Sequence, residues 1–294
     1  MSPPTEPLEL SIVLTAHNRA DLVEEMLRSL ADQRWDAAWD IVLVDNDSDD
    51  HTLEVLERWA DKMPVPTRVI SADERRHLSY ARGAGAAISE ARSVGFLDDD
   101  DVIAPGYVAA LGETLREHQL AGPRHEHDLL NDASMARYRG THQTTALTPV
   151  FGIPIVSGGG FSCRRALWER LDGQTEAFEY GGEDSDFSLR AARLGVDAVF
   201  APDAVYHVRH RDGLATSFRQ GRKLGLARVQ LYGMHRDHVT EAPVSLGRTI
   251  RRWAGLVKRL PELRDDDTRL VWVWQVGRRL GHLQGSLRNR IWYP

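Results

Sequence analysis

SVGFLDDDD, residues 93–101, sets an apolar strand pattern directly against four consecutive carboxylates. The same arrangement recurs upstream. LELSIVLT (8–15) runs into AHNR, and WDIVLV (39–44) stops at DNDSDD. Between these runs Leu22, Met26, Leu27 and Leu30, then Leu53, Leu56, Trp59 and Ala60, repeat at helical spacing. Thr67–Ser71 reads as a third short strand and Tyr80–Ala91 as a helix of small residues. Strands that alternate with helices imply an α/β fold with a doubly wound, Rossmann-like, mostly parallel sheet. The chemistry of such a sheet gathers at the carboxyl ends of its strands, where HNR, DNDSDD and DDDD all fall.

The rest of the chain is consistent with one large core. It has 294 residues, 42% hydrophobic and 27% charged, with a mean hydropathy of −0.40, the balance of a soluble globular protein. Cys163 is the only cysteine, so no intrachain disulfide is expected and a reducing compartment fits. MSPPTEPLEL lacks a basic start followed by an apolar run, and no 18-residue apolar stretch occurs, so a cytoplasmic location is expected. The net charge of −6 is uneven, because residues 245–294 carry 11 Lys or Arg against 4 Asp or Glu. The acidic remainder, without an aromatic and basic platform, argues against nucleic-acid binding.

Four adjacent carboxylates repel one another. At the end of a buried strand a hard divalent cation, Mg²⁺ or Mn²⁺, relieves that cost while bridging a diphosphate; a solvated acidic turn is the alternative. The run Asp45–Asp50 starts like a calcium loop, but Asp50 stands where the turn needs glycine and Leu56 where it needs a bidentate Glu. A carboxylate there is suited instead to a nucleobase or ribose. In GGEDSDFSLRAARLG (181–195), acids lead into a helix, and capping accounts for one of Glu183, Asp184 and Asp186. Residues 118–148 read as an irregular insert; its four histidines lack the partners of a zinc site.

In order, TAHNR, VDNDSDD, ARGAG, FLDDDD, GGEDSDFSLR and VYHVRH resemble the successive motifs of family 2 inverting glycosyltransferases with the GT-A fold, over roughly residues 9–210. The resemblance implies a metal-dependent transfer of a sugar from a nucleotide-diphosphate sugar to a hydroxyl acceptor. It implies that Thr15, His17 and Asp45 hold the nucleoside and that Arg82 approaches the nucleotide. Asp98 and Asp100 match the ends of the Asp-x-Asp motif, Asp100 as the direct metal ligand and Asp99 with Asp98 on the donor side; Asp101 supports them. Asp184, beside Glu183, becomes the general base, and His207 completes the metal shell. Gly158, Gly159 and Gly160 allow backbone to approach donor or acceptor. Two positions depart from the family pattern: His17 replaces a frequent aromatic residue, and Gly83 replaces Asn.

The first 240 residues thus read as the catalytic domain and residues 241–294 as a C-terminal helical extension. Ile250, Trp253, Val257 and Leu260 make one apolar stripe amid Arg248, Arg251, Arg252, Lys258 and Arg259. Val273, Val276, Leu280, Leu283 and Leu287 make a second. Packing on the catalytic domain is the expected use of these faces; peripheral contact with the inner face of a membrane and a homodimer seam are the others. A sugar nucleotidyltransferase is the nearest enzymatic rival, but no glycine-rich loop followed by Lys lies near the first strand. An inactive nucleotide-sugar-binding protein would not need the full set of carboxylates.

Overall fold

The computed structural model describes residues 7–132, 142–156, 159–178, 181–210, 213–239, 245–260, 263 and 266–293. Its centre is an eight-stranded sheet. Strands β1 (Leu10–Ala16), β2 (Trp39–Asp45), β3 (Thr67–Ser71) and β4 (Ser93–Asp98) run parallel in the order β3-β2-β1-β4. β1 and β2 are buried at every position, which explains why they are continuous β-branched and Leu runs rather than alternating ones. β3 closes one edge and is only half-buried.

Beyond β4 the sheet becomes mixed. β9 (Ser162–Arg164) pairs antiparallel with both β4 and β6 (Leu120–Glu126). β6 runs parallel to β10 (Val199–His207), and β5 (Val102–Ile103) pairs antiparallel with β10 at the far edge. A small hairpin, β7 (Pro149–Val150) with β8 (Ile153–Pro154), stands apart. The expectation of an irregular insert over 118–148 is therefore corrected in part: Leu120–Glu126 is an interior strand. Its sequence, LAGPRHE, has no β-branched run, and a leucine side chain lies where a Cβ on Gly122 would fall, 2.8 Å away. β10 begins at Val199 and extends to His207.

Helices cover both faces. On one, α1 (Val23–Ala31) buries Val23, Met26, Leu27 and Leu30, joined by α2 (Thr52–Ala60) and α4 (Tyr107–Glu117). On the other lie α3 (Leu78–Ala87), α5 (Arg165–Arg170) and α6 (Glu183–Arg193), around Phe96, Phe161, Trp168 and Phe187. Gly85 lets α3 sit close on the sheet, since a Cβ there would lie 2.4 Å from a methyl of Val13.

The long helix α7 (Leu214–His235) packs along α9 (Asp266–Asn289), with α8 (Leu246–Lys258) beside them. The α7–α9 seam is made by glycine. A Cβ at Gly221 or Gly225 would lie 2.2 Å from the carbonyl oxygen of Trp274 or Arg278, and Gly277 and Gly281 meet α7 backbone as closely. Glycines four apart on each helix thus bring backbone against backbone. The stripe on α8 does not pack as expected: Ile250, Val257 and Leu260 are 59%, 62% and 48% exposed, while Thr249 and Leu256 turn inward. No helix among the described residues is long and apolar enough to cross a membrane.

Candidate active site

The carboxyl ends of β1, β2 and β4 open into a cavity of about 390 Å³ lined by Thr15, His17, Asn46, Asp98, Asp99 and Asp100, with Arg76–Leu78 and Ala81 from the start of α3 closing the other wall. A larger cavity of about 1150 Å³ lies on the far side of α3, with Gln174 and Arg190 in its wall. It lacks the strand-end carboxylates Asp98, Asp99 and Asp100 that line the smaller one.

Most of the DNDSDD loop is engaged in holding the rim. Asp50 accepts from the N–H groups of Ala20 and Thr52, Ser48 Oγ accepts from Asn18 N–H, and Asn18 Oδ1 accepts from Asp49 N–H. Asp47 and Asp49 pair with Arg76 at 2.5 and 3.0 Å. Asp45 differs. It is buried, one oxygen accepts from Ser48 N–H at 3.2 Å, and Oδ1 has no partner. The hydroxyl of Thr15 is also buried and unpartnered. Burying polar atoms unsatisfied is costly, so both oxygens are available to a polar ligand's donors. The His17 ring is fixed through Nδ1 by the Asn46 carbonyl at 2.7 Å.

The four aspartates separate into distinct surroundings. Asp99 accepts from His17 N–H at 3.0 Å and lies 3.4 Å from Arg19; burial, reinforced by Asp100 and Asp98, pushes its carboxyl up to about 7. Asp101 is buried, accepts from Arg209 N–H at 2.7 Å, and is raised well above the usual range by burial and its acidic neighbours. Asp100 lines the cavity with Arg19 4.0 Å away. Asp98 is bound by Arg82 at 2.8 Å.

Arg82 organises the site. It is 1% exposed, reaches from α3 beneath the sheet rim, and joins Asp98 to Asp184 at 2.8 and 3.1 Å. The charged guanidinium is buried against two carboxylates, which raise its pKa against the burial penalty. One cation serves three acids, Asp98, Asp184 and Glu183. Burial therefore dominates at Asp184, and with Glu183 and Asp98 adding repulsion its carboxyl rises to about 7 despite Arg82. Gln174, buried, donates from Nε2 to Asp184 Oδ1 and accepts from Arg82 at 3.2 Å. Nothing in the spacing of the sequence signals Gln174, Asn46 or Tyr206 as part of this site.

The acids of α6 thus divide their work. Glu183 and Asp184 open the helix, Asp184 against Arg82, whereas Asp186, 1% exposed, ties it to α7 through His235 at 2.8 Å and pairs with Arg190 at 2.7 Å. Gly159 lies where a Cβ would meet Tyr206 Oη at 2.2 Å and Asp98 at 2.7 Å, and Gly160 has φ +89°. Gly158 lies outside the described residues. His207 ends β10 opposite Val102, and its Nδ1 pairs with Glu126 at 2.5 Å. Burial pushes Glu126 up, but His207 and the N–H groups of Asp128 and Leu129 outweigh it and hold that carboxyl low. Among the described residues no three His, Cys, Asp or Glu side chains converge as a preformed cation site.

A parallel sheet with acidic strand ends, a nucleotide-sized cavity and a buried Arg linking two carboxylates defines a nucleotide-binding α/β enzyme. The family sequence model described as glycosyl transferase family 2 matches residues 11–171, and the chain belongs to that family; it is a glycosyltransferase with the GT-A fold. It is 26% identical over 221 residues to the succinoglycan biosynthesis protein ExoM of Rhizobium meliloti, covering 69% of this chain and 68% of that protein. It is 30% identical over 103 residues to the validoxylamine A glucosyltransferase of Streptomyces hygroscopicus, covering 35% of this chain and 24% of that protein. Three of the curated relatives are matched over only 24–36% of their own length. Among solved structures, the mannosyltransferase PcManGT of Pyrobaculum calidifontis, in complex with GDP-Man and Mn²⁺, superposes with a TM-score of 0.63 at 18% identity, over 95% of this chain and 88% of that one.

Proposed function

We propose that this chain transfers a sugar from a nucleotide-diphosphate donor to an acceptor hydroxyl, with inversion at the anomeric carbon. The observation that carries the reading is the Arg82 bridge, which holds Asp98, at the acidic end of β4, and Asp184, at the start of α6, on one guanidinium. The nucleoside lies in the cavity against Thr15 and His17, with Asp45 at the end of the neighbouring strand, and the buried oxygens of Thr15 and Asp45 lack partners. Asp184 removes the acceptor proton as the hydroxyl attacks the face opposite the leaving diphosphate, and Arg82 and Gln174 keep it in place. Its raised pKa suits a base that works near neutrality.

The acidic run fits a divalent cation. Asp99 and Asp101 are both raised by burial and by like-charged neighbours, a cost that a hard cation relieves. Asp100 would hold Mg²⁺ or Mn²⁺, and His207, whose Nδ1 pairs with Glu126, would join it. When bound, the ion stabilises negative charge on the departing diphosphate. The acceptor belongs to a glycan, a lipid-linked sugar or a small metabolite, and a peripheral position on the inner membrane face is supported by the exposed stripe of α8.

The deciding experiment incubates the purified chain with nucleotide-diphosphate sugars, Mn²⁺ and candidate acceptors. Release of nucleoside diphosphate supports transfer, and release or consumption of pyrophosphate would point to nucleotidyl transfer. A thermal-shift screen of nucleoside diphosphates with and without Mn²⁺ selects the donor beforehand.

A further inference from the structure

Far from the acidic rim, α8 and α9 enclose a cavity of about 310 Å³ whose wall includes Arg252 and Trp253 from α8 and Trp274, Arg278, Arg279 and His282 from α9. The chemistry here is the reverse of that at the strand ends. Among the described residues no carboxylate pairs with Arg252, Arg278 or Arg279. Nη1 of Arg279 and Nε2 of His282 are buried without any hydrogen-bond partner, and His282 as a whole is 7% exposed.

Folding places these cations together at a cost. Arg278 and Arg279 are both held below the usual arginine range by burial and by the neighbouring guanidinium groups. His282 is driven down to about 3, first by burial and then by Arg278, Arg228, Arg252 and Arg279. Arg228, the fourth guanidinium, is occupied elsewhere, 3.9 Å over Phe151 and 3.2 Å from Tyr293 Oη. A cluster of forked donors that no carboxylate pairs among the described residues, around a cavity with buried unpartnered nitrogens, is complementary to a multivalent oxyanion.

The same short helix presents apolar surface to solvent. Leu246, Ile250 and Val257 are each more than half exposed, and Trp253, which lines the cavity, lies between Ile250 and Val257 on that stripe. Arg251 and Lys258 are also exposed on α8. A ligand with a phosphate head and a hydrocarbon tail matches both features at once.

We propose that the α8–α9 cavity binds the phosphate monoester of an amphiphile, with Arg252, Arg279 and His282 around the phosphate and Leu246, Ile250 and Val257 under the chain. This site is separate from the donor cavity and does not depend on the transfer reaction proposed above. The phosphate could also be captured free, so the test separates the two sources.

Dodecyl phosphate, inorganic phosphate and dodecanol are each titrated calorimetrically into the full chain with the donor site saturated by nucleoside diphosphate and Mn²⁺. The expected result is saturable binding of one dodecyl phosphate, weakened at least about tenfold in the Arg252→Gln/Arg279→Gln variant, because two charge-assisted contacts are lost. Ile250→Ser/Val257→Ser should weaken dodecyl phosphate and leave inorganic phosphate unchanged. Arg252→Gln alone changes an exposed side chain and serves if the double variant does not fold. No saturable binding by the native chain, or equal binding by the arginine variants, overturns the site. Inorganic phosphate binding as tightly as dodecyl phosphate overturns the amphiphile, as does dodecanol binding equally well.

Discussion

Replacing Asp184 by Asn separates chemistry from binding. Asp184 Oδ1 accepts from Arg82 Nη1 at 3.1 Å and from Gln174 Nε2, and an amide oxygen in the same place accepts both. Arg82 still has Asp98 at 2.8 Å, so no buried charge is orphaned and the fold should persist. The loss is the proton acceptor. General bases contribute roughly 10²–10⁴ in rate, so kcat should fall by that factor, about 3–5 kcal/mol on the barrier. The affinity for nucleoside diphosphate should stay within about threefold, under about 1 kcal/mol, because the amide oxygen keeps the Arg82 and Gln174 contacts and Arg82 keeps its hold on Asp98. The pH dependence gives a second readout. A carboxyl raised to about 7 is protonated, and idle as a base, below that pH; native turnover should therefore fall as pH drops through neutrality and level off above it. The assay follows nucleoside diphosphate release at saturating donor from mildly acidic to mildly alkaline pH, with affinity measured separately by calorimetry. A variant that keeps near-native turnover, or one that shows the same pH rise, would refute the assignment.

Other perturbations test the surroundings. Asp100→Ala should abolish the Mn²⁺-dependent part of nucleoside diphosphate stabilisation in a thermal-shift assay; an unchanged Mn²⁺ increment would exclude Asp100 from the cation shell. Gly159→Ala places a methyl group 2.2 Å from Tyr206 Oη and 2.7 Å from Asp98, so turnover should drop sharply, with overpacking costing about 1–3 kcal/mol in urea unfolding. Gly225→Ala drives a Cβ to 2.2 Å from the Arg278 carbonyl and should destabilise the chain by at least about 1–3 kcal/mol, detected as a lower urea midpoint. Asp186→Ala strips a buried carboxylate from His235 and Arg190 and should cost roughly 3–5 kcal/mol in stability while nucleotide affinity is retained.

Much of the catalytic half was legible because its signals are local. β1, β2 and β4 are apolar runs that end at polar clusters, and parallel strands buried on both faces leave that mark in any sequence. Their shared direction then carries His17, Asp45 and Asp98 to one rim without further information. The order of motifs assigned Asp184 and Arg82 to one site, but their contact, across 102 positions, appears only in the structure.

What stayed hidden depends on contacts that no local period encodes. β6 is a strand because β9 and β10 supply its hydrogen bonds on both sides, although LAGPRHE has little strand preference of its own. Helical spacing marked the apolar stripe of α8, but which side meets α9 is decided by where the chain returns, and Ile250 and Val257 face outward. The same holds for the acids of α6: one sequence pattern, GGEDSD, yields a candidate base in Asp184 and a structural tie in Asp186, because successive helix positions point to different neighbours. The amino-acid order by itself determined the parallel half of the sheet, its polar rim and the family. Only the tertiary structure assigned partners to charges, because the energy of a buried charge depends on what lies within a few ångströms of it.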